Sequence, residues 1–178
     1  MPKTTDEIKG SIRGAAKAAG QAVRGRIGIY ATLSKEHGEV ASLMSELADT
    51  GNDDVERRED LFATIETELL AHAKAEDAVF YSAIADRDTT REKIEHAREE
   101  HQEVETLLEE LGQMDITHQS WMNKFLKLEQ SVEHHVQEEE HEVFARAQKL
   151  LSVEDARALD DDYRARRDAE KKKRRPAA

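Results

Sequence analysis

Four histidines and two glutamates stand out in this sequence because residues of these types at this spacing could bind metal ions. They are His37, His72, Glu76, His101, His135 and Glu139. Each falls on a three- and four-residue repeat of apolar positions, which predicts that all six point into the interior of a helical bundle. A buried polar group without a partner costs several kcal/mol, and a whole domain is stable by only about 5–15 kcal/mol. The six must therefore satisfy one another in a hydrogen-bond network or hold metal.

An internal duplication supplies these six residues. Residues 35–47 and 99–111 share seven identical positions, among them His37 and His101. Each copy is followed by a His-x-x-x-Glu pair, whose two side chains share one helix face. The pairs are His72 with Glu76 and His135 with Glu139. Because four helices each contribute to a repeated pattern, a metal site is favoured over a hydrogen-bond network alone.

Ligand type and ligand number indicate which metals would bind. The sequence has no cysteine, and imidazole with carboxylate suits iron, manganese or zinc. Six inward ligands exceed the four that a tetrahedral zinc ion takes, which implies two metal ions. Glu76 and Glu139 could bridge both ions. By the symmetry of the duplication, His37 with His72 and His101 with His135 would then supply terminal nitrogens.

Four amphipathic stretches position these residues. They cover residues 30–47, 62–80, 94–111 and 125–143. The second and fourth stretches match position by position, 63 residues apart. Gly51, a turn at residues 86–90 and Gly112 separate the stretches, so the connections are short and neighbouring helices should be antiparallel. The pattern predicts an all-α fold, an up-down-up-down antiparallel four-helix bundle.

The chain divides into a core and two basic extensions. We expect the bundle to span residues 28–151, after a Gly/Ala-rich N-terminal extension at residues 1–27. Residues 152–178 should form a short fifth helix, capped by Ser152 with Asp155, and a basic tail. From Arg164 onward this tail reads as a solvated charge run. Either basic terminus could contact a protein or an anionic membrane surface.

Charge and hydropathy limit the range of functions. The net charge is −12, and residues 27–163 alone carry 13 basic and 35 acidic side chains. Such a surface repels nucleic acid, so no nucleic-acid partner is expected. The sequence contains no run of about 20 apolar residues and no secretory signal pattern. We therefore expect a cytoplasmic protein without a transmembrane segment.

The motif residues resemble those of the hemerythrin-like proteins, the HHE cation-binding family. Besides the six residues above, the resemblance rests on Glu100 before His101, on Glu140 after Glu139, and on the apolar pair Val143-Phe144. It implies a cofactor of two non-haem iron ions, a di-iron centre with a bridging oxygen. It also implies small ligands such as dioxygen, nitric oxide or hydrogen peroxide.

One departure from the family pattern matters. Oxygen-carrying hemerythrins have a second histidine four residues from the first on the third helix, where this chain has Ala97 or Glu105. His96 lies about 140° around the helix from His101 and should face away. One iron ion would therefore be open or completed by Glu105, by water or by Tyr30, which weakens the case for simple oxygen carriage.

Two functional classes remain open. The first is a binding protein for sensing, storage or stress response, and the second is an enzyme that decomposes hydrogen peroxide or reduces nitric oxide. A ferritin-like site would need Glu-x-x-His on two helices, and Glu138 with His141 is the one instance. His118, His134 and His141 are expected to be solvated.

Overall fold

The computed structural model describes residues 26–51 and 53–174, and these form five helices without a strand. The helices are α1 (Ile29–Ala48), α2 (Val55–Glu76), α3 (Arg91–Gly112), α4 (Gln119–Glu138) and α5 (Val153–Arg174). The first four build the antiparallel up-down-up-down bundle, which confirms the predicted all-α fold. None of the described helices is long and apolar enough to cross a membrane. The expected extension at residues 1–27 lies almost wholly outside the described part.

The bundle has two apolar layers, one on each side of a polar layer. One apolar layer includes Ile29, Leu33, Phe80, Ile94 and Phe144. The other apolar layer includes Val40, Leu47, Ile65, Leu108 and Phe125. On each of the four helices the predicted ligands fall in sequence between residues of the two layers. The duplicated pattern thus places the polar groups at mid-height, where water is excluded on both sides.

Helices α2 and α4 both change from α to π geometry at the predicted glutamate ligand, Glu76 or Glu139. A π-helical segment, Asp77–Tyr81, follows α2 directly, and a second one, Glu139–Val143, follows α4. Short α-helical turns, Ser82–Ile84 and Phe144–Ala147, complete the two helices. A π turn contains one more residue than an α turn, and such insertions are frequent at functional sites. Here the insertion turns two consecutive residues, Phe80 and Tyr81, into the core.

The fifth helix is present as expected, but it is much longer than the sequence suggested. Helix α5 contains 22 residues and begins at the predicted cap, where the backbone amide of Asp155 donates to Ser152 Oγ. Its buried residues, Ala156, Tyr163 and Glu170, recur every seven positions and so share one face of the helix. The start of α5 lies against Gly28, whose φ is 56° and whose Cβ, if present, would be 2.4 Å from Ala156 O. Only glycine fits there.

The expectation of a solvated tail from Arg164 is wrong as far as Arg174. Arg164 donates to Thr32 Oγ1 at 2.7 Å, and Arg167 and Lys171 each lie 2.5 Å from a carboxylate oxygen of Glu68. Arg167 and Lys171 thereby neutralise the Glu68 carboxylate on the outer side of α2. Because opposite charges hold the segment on the bundle, it needs few apolar residues to stay helical.

Candidate metal centre

The six predicted ligands meet in the polar layer, with the Glu76 carboxylate near the middle. Glu76 Oε2 lies 3.4 Å from His72 Nε2 and 3.5 Å from His101 Nε2. His101 Nε2 is in turn 3.0 Å from His135 Nε2. Atoms of Glu76, His101 and His135 converge closely enough to share one metal ion.

Glu139 approaches the same centre from α4. Its Oε2 lies 3.3 Å from His37 Nε2. The rings of His37 and His72 are 5.0 Å apart, centroid to centroid, and those of His101 and His135 are 4.5 Å apart. The histidines therefore form the two pairs that the duplication suggested, with the glutamates between them.

Several nitrogen and oxygen atoms of this cluster that could bind a metal ion are buried and have no hydrogen-bond partner. They are His37 Nε2, His72 Nε2, both carboxylate oxygens of Glu76, and Glu139 Oε2. Unpaired buried groups of this kind are costly and rare in folded proteins. All of them are atoms that bind transition metals. The residues present therefore fit a metal centre, because a cation would satisfy the unpartnered atoms together.

Outer carboxylates fix the orientation of three of the histidines. His37 Nδ1 lies 3.0 Å from Glu140 Oε1, His72 Nδ1 lies 3.1 Å from Glu36 Oε2, and His135 Nδ1 lies 2.9 Å from Glu100 Oε2. When Nδ1 carries the proton and donates it to a carboxylate, Nε2 keeps its lone pair and can bind a metal ion at the centre.

The outer contacts follow the duplication as well. Glu36 and Glu100 each precede a histidine that is a predicted ligand, but each contacts the predicted ligand histidine of the next helix. The sequence distance is 36 residues from Glu36 to His72 and 35 residues from Glu100 to His135. Each copy of the repeat thus supplies one predicted ligand histidine and one carboxylate that orients the predicted ligand histidine of the next helix.

Burial and charge set the protonation of the polar layer. Burial alone would lower the pKa of His72, but Glu76 and Glu36 outweigh burial and raise that pKa to about 9. Burial and the neighbouring His135 lower the pKa of His101 well below its ordinary value. Burial and the Glu76 carboxylate raise the pKa of Glu139 well above its ordinary value. A bound cation would relieve this carboxylate repulsion.

Two tyrosines that the sequence analysis did not select contact the centre. Tyr81 donates its hydroxyl to Glu139 Oε1 at 3.0 Å and stacks on His101 with 5.6 Å between ring centroids. Tyr163 of α5 donates to Glu36 Oε2 at 2.5 Å and lies 2.9 Å from His72 Nδ1. Burial, reinforced by nearby carboxylates, raises the pKa of both tyrosines well above the ordinary value, so both stay protonated.

The π turns explain why one of these tyrosines was missed. An α-helical repeat places Phe80 on the inward stripe, and only the extra residue of the π turn brings Tyr81 inward too. In the second half, the residue 63 positions later is Phe144, which has no hydroxyl. The two glutamates are therefore unequal, since Glu139 receives a hydrogen bond from Tyr81 and both oxygens of Glu76 are unpartnered.

The two additional ligand candidates lie in other surroundings. The Glu105 carboxylate forms an ion pair with Lys74 Nζ at 3.0 Å on the protein surface. Tyr30 packs edge-on against Phe80 and Phe144, and burial raises its pKa to about 12. Its hydroxyl is buried without a hydrogen-bond partner.

A small cavity adjoins the four histidines. Its volume is about 30 Å³, and Val40, Leu69, Val104 and Val132 line its apolar side. A space of this size holds one water-sized molecule between these apolar side chains and the histidines. The cavity is therefore suited to a very small ligand.

A buried cluster of histidines and carboxylates on facing helices is the kind of donor set that helical-bundle metalloproteins use. The family model "Hemerythrin HHE cation binding domain" matches residues 28–147, which is most of the chain. The chain therefore belongs to the hemerythrin HHE cation-binding family, as its motif residues indicated.

A solved structure agrees with this family assignment. It is the crystal structure of a hemerythrin HHE cation binding domain-containing protein from Mycobacterium kansasii, described as an Rv2633c homolog. The two chains are 20% identical, with a TM-score of 0.74 over 83% of this chain and 90% of the other. At this level of identity the likeness shows the fold. No curated protein matches the chain significantly.

Proposed function

We propose that this protein holds two non-haem iron ions in the polar layer and uses them to bind dioxygen, nitric oxide or peroxide. The ligands are the six residues of the duplicated pattern, with Glu76 and Glu139 between the two histidine pairs. The observation that carries the proposal is the convergence of five unpartnered buried donor atoms beside a cavity of about 30 Å³.

The donor set favours iron and a pair of ions. Four imidazoles and two carboxylates without sulfur suit iron, and they exceed what one tetrahedral ion takes. The chain's own residues keep the centre dry, orient the histidines through outer carboxylates, and hold a proton on the Tyr81 hydroxyl. The iron ions would supply electron exchange and open coordination positions for the small ligand.

The small volume and the largely apolar lining of the cavity favour a diatomic ligand. Such a ligand supports a binding role in sensing, storage or stress response. A peroxide-decomposing or nitric-oxide-reducing enzyme is the second candidate. It is favoured by Tyr81, whose hydroxyl lies 3.0 Å from Glu139 Oε1 and could relay a proton between the ligand oxygens and Glu139 while regaining its own proton.

Metal analysis with matched variants tests the metal centre. Protein loaded anaerobically with ferrous iron should hold two iron ions per chain, and His101→Ala should lose most of that iron while remaining helical. His118→Ala is the control, because His118 is exposed in the loop before α4 and contacts Ser120. Full iron content in His101→Ala would contradict the assignment.

Optical spectra then separate the two functional classes. A long-lived adduct of the reduced protein with dioxygen or nitric oxide supports the binding role. Rapid oxygen evolution from added hydrogen peroxide supports the enzyme. The Tyr81→Phe variant should keep its adduct if the protein is a binder, and should lose rate if Tyr81 delivers protons.

A further inference from the structure

A second group of metal-binding side chains lies on the outer face of the bundle, between α3 and α4. It consists of His96 and Glu100 from α3 and of His134 and Glu138 from α4, and we call it the outer cluster. The two histidines are exposed, and the two glutamates are partly buried. Sequence reasoning placed His96 and His134 correctly off the core stripe, but it could not show that they face each other.

The distances within the outer cluster suit ligands around one ion. His96 Nε2 lies 3.7 Å from Glu100 Oε1 and 3.6 Å from Glu138 Oε2. His134 Nε2 lies 3.7 Å from Glu100 Oε1 and 3.9 Å from Glu138 Oε1. Ligand atoms about 2.1 Å from a tetrahedral zinc ion are about 3.4 Å from one another. Small rotations of partly exposed side chains close that difference.

The same distances are too long for hydrogen bonds within the cluster. Glu100 Oε1 is buried and has no hydrogen-bond partner, although the Oε2 atom of the same carboxylate holds His135 Nδ1. Lys93 is the nearby cation, and its Nζ lies closer to Glu142, at 2.9 Å, than to Glu138, at 3.8 Å. The carboxylate of Glu100 thus presents an unsatisfied oxygen to the cluster.

We propose that the outer cluster binds one divalent transition-metal ion of the zinc class, separately from the buried centre. Each helix offers a His and a Glu four residues apart on one face, so two helices provide two nitrogens and two oxygens. The two carboxylates neutralise the charge of the ion. Glu100 links this site to the buried centre, because its other oxygen orients His135.

Zinc titration of the iron-loaded protein tests the proposal. We expect one further equivalent of Zn²⁺ to bind, measured by competition with a chromophoric zinc indicator, without release of iron. His96→Ala and His134→Ala should each weaken zinc binding at least tenfold and leave the iron content unchanged. Co²⁺ used in place of Zn²⁺ should give the intense visible bands of a tetrahedral site.

His141→Ala is the matched control. His141 is also exposed, lies on the π-helical continuation of α4, which carries His134, and contacts Gln137 O outside the cluster. The proposal is overturned if no zinc binds beyond the iron, if each zinc bound releases iron, or if His141→Ala weakens binding as much as His96→Ala. These outcomes do not depend on which small ligand the iron binds.

The shared Glu100 provides a second readout. An ion that attracts Glu100 Oε1 should weaken the hydrogen bond from His135 Nδ1 and shift the iron absorption bands. Zinc should therefore shift the spectrum of the wild-type protein and leave that of His96→Ala unchanged. Identical spectra with and without bound zinc would overturn the link through Glu100.

Discussion

The hydroxyl of Tyr163 lies 2.9 Å from Nδ1 of His72, although the two residues are 91 positions apart in the chain. Tyr163 belongs to α5, outside the duplicated bundle, and it also donates to Glu36 at 2.5 Å. The fifth helix therefore completes the surroundings of a candidate ligand. This contact gives α5 a role at the metal centre beyond covering the outside of the bundle.

Replacing Tyr163 with phenylalanine should weaken the metal centre. The change removes the hydrogen bond to Glu36, which then holds His72 less firmly. Loss of an outer partner typically costs 10- to 100-fold in metal affinity. Because Glu36 still contacts His72, we expect metal affinity to fall by about tenfold, at the lower end of that range. Iron retention during dialysis against a chelator would measure it.

Tyr30→Phe is the control for this experiment, because it removes a buried hydroxyl that has no hydrogen-bond partner. We expect unchanged iron and unchanged or slightly higher stability. Loss of iron in Tyr30→Phe would make Tyr30 a ligand, and equal iron retention in Tyr163→Phe and wild type would remove the role assigned to Tyr163.

Arg26 should matter for the metal centre more than the residues before it. Its guanidinium lies 2.7 Å from Glu140 Oε2, and Glu140 holds His37 through its other oxygen. Burial would raise the pKa of Glu140, but His37 and Arg26 outweigh burial and lower that pKa to about 2. We expect Arg26→Ala to release iron several-fold faster, with deletion of residues 1–25 having no effect.

Chelator-driven iron release from both variants, followed by absorbance, measures this difference. Residues 1–25 lie outside the described residues, so the deletion also tests whether they reach the centre. Iron loss on deletion equal to that of Arg26→Ala would mean that the extension contributes to the site.

The duplication and the apolar stripes were enough to predict the four core helices and the six residues that meet in the polar layer. The contacts of Tyr81 and Tyr163 with the centre could not be predicted from the sequence, for physical reasons. Tyr81 turns inward only because of a π turn, which an α-helical period does not describe. Tyr163 lies on a charged helix whose inward positions recur every seven residues and include Glu170, so its apolar signal is weak. Contacts between distant helices depend on packing that one helix period does not encode.

Glu129 should make stability depend on pH. It is 4% exposed, and neither of its oxygens has a hydrogen-bond partner. Burial, followed by the charges of Glu133 and Asp49, raises its pKa to about 7. Since the folded pKa exceeds the unfolded one, its contribution to stability is full below the unfolded pKa and is lost as pH rises through about 7.

Glu129→Gln should therefore be more stable than wild type by up to about 3 kcal/mol at pH 8, with the difference vanishing toward pH 4.5. Urea unfolding of equally metal-loaded proteins, followed by circular dichroism across this pH range, measures it. Glu109→Gln, at an exposed position of α3, should show no such trend. A constant difference between Glu129→Gln and wild type at all pH values would contradict the buried carboxyl as its cause.

Replacing Glu76 or Glu139 should disrupt the pair of metal ions more than replacing one of the histidines. A carboxylate between two ions neutralises charge on both, whereas a terminal histidine serves one. Glu76→Gln and Glu139→Gln each keep the side-chain size and remove the charge. We expect both to abolish the coupled di-iron signal in Mössbauer spectra more completely than His37→Gln or His72→Gln.

The hydrogen bond from Tyr81 sharpens this comparison, because it holds Glu139 alone. Tyr81→Phe keeps the Glu139 carboxyl group and removes its hydrogen-bond donor, so the coupled signal should persist with shifted charge-transfer bands. The same change removes no hydrogen bond from Glu76, whose two oxygens have no hydrogen-bond partner. If Glu76→Gln or Glu139→Gln retains an antiferromagnetically coupled pair with native absorption, the replaced residue is not a bridge. The remaining glutamate and the bridging oxygen would then join the two ions.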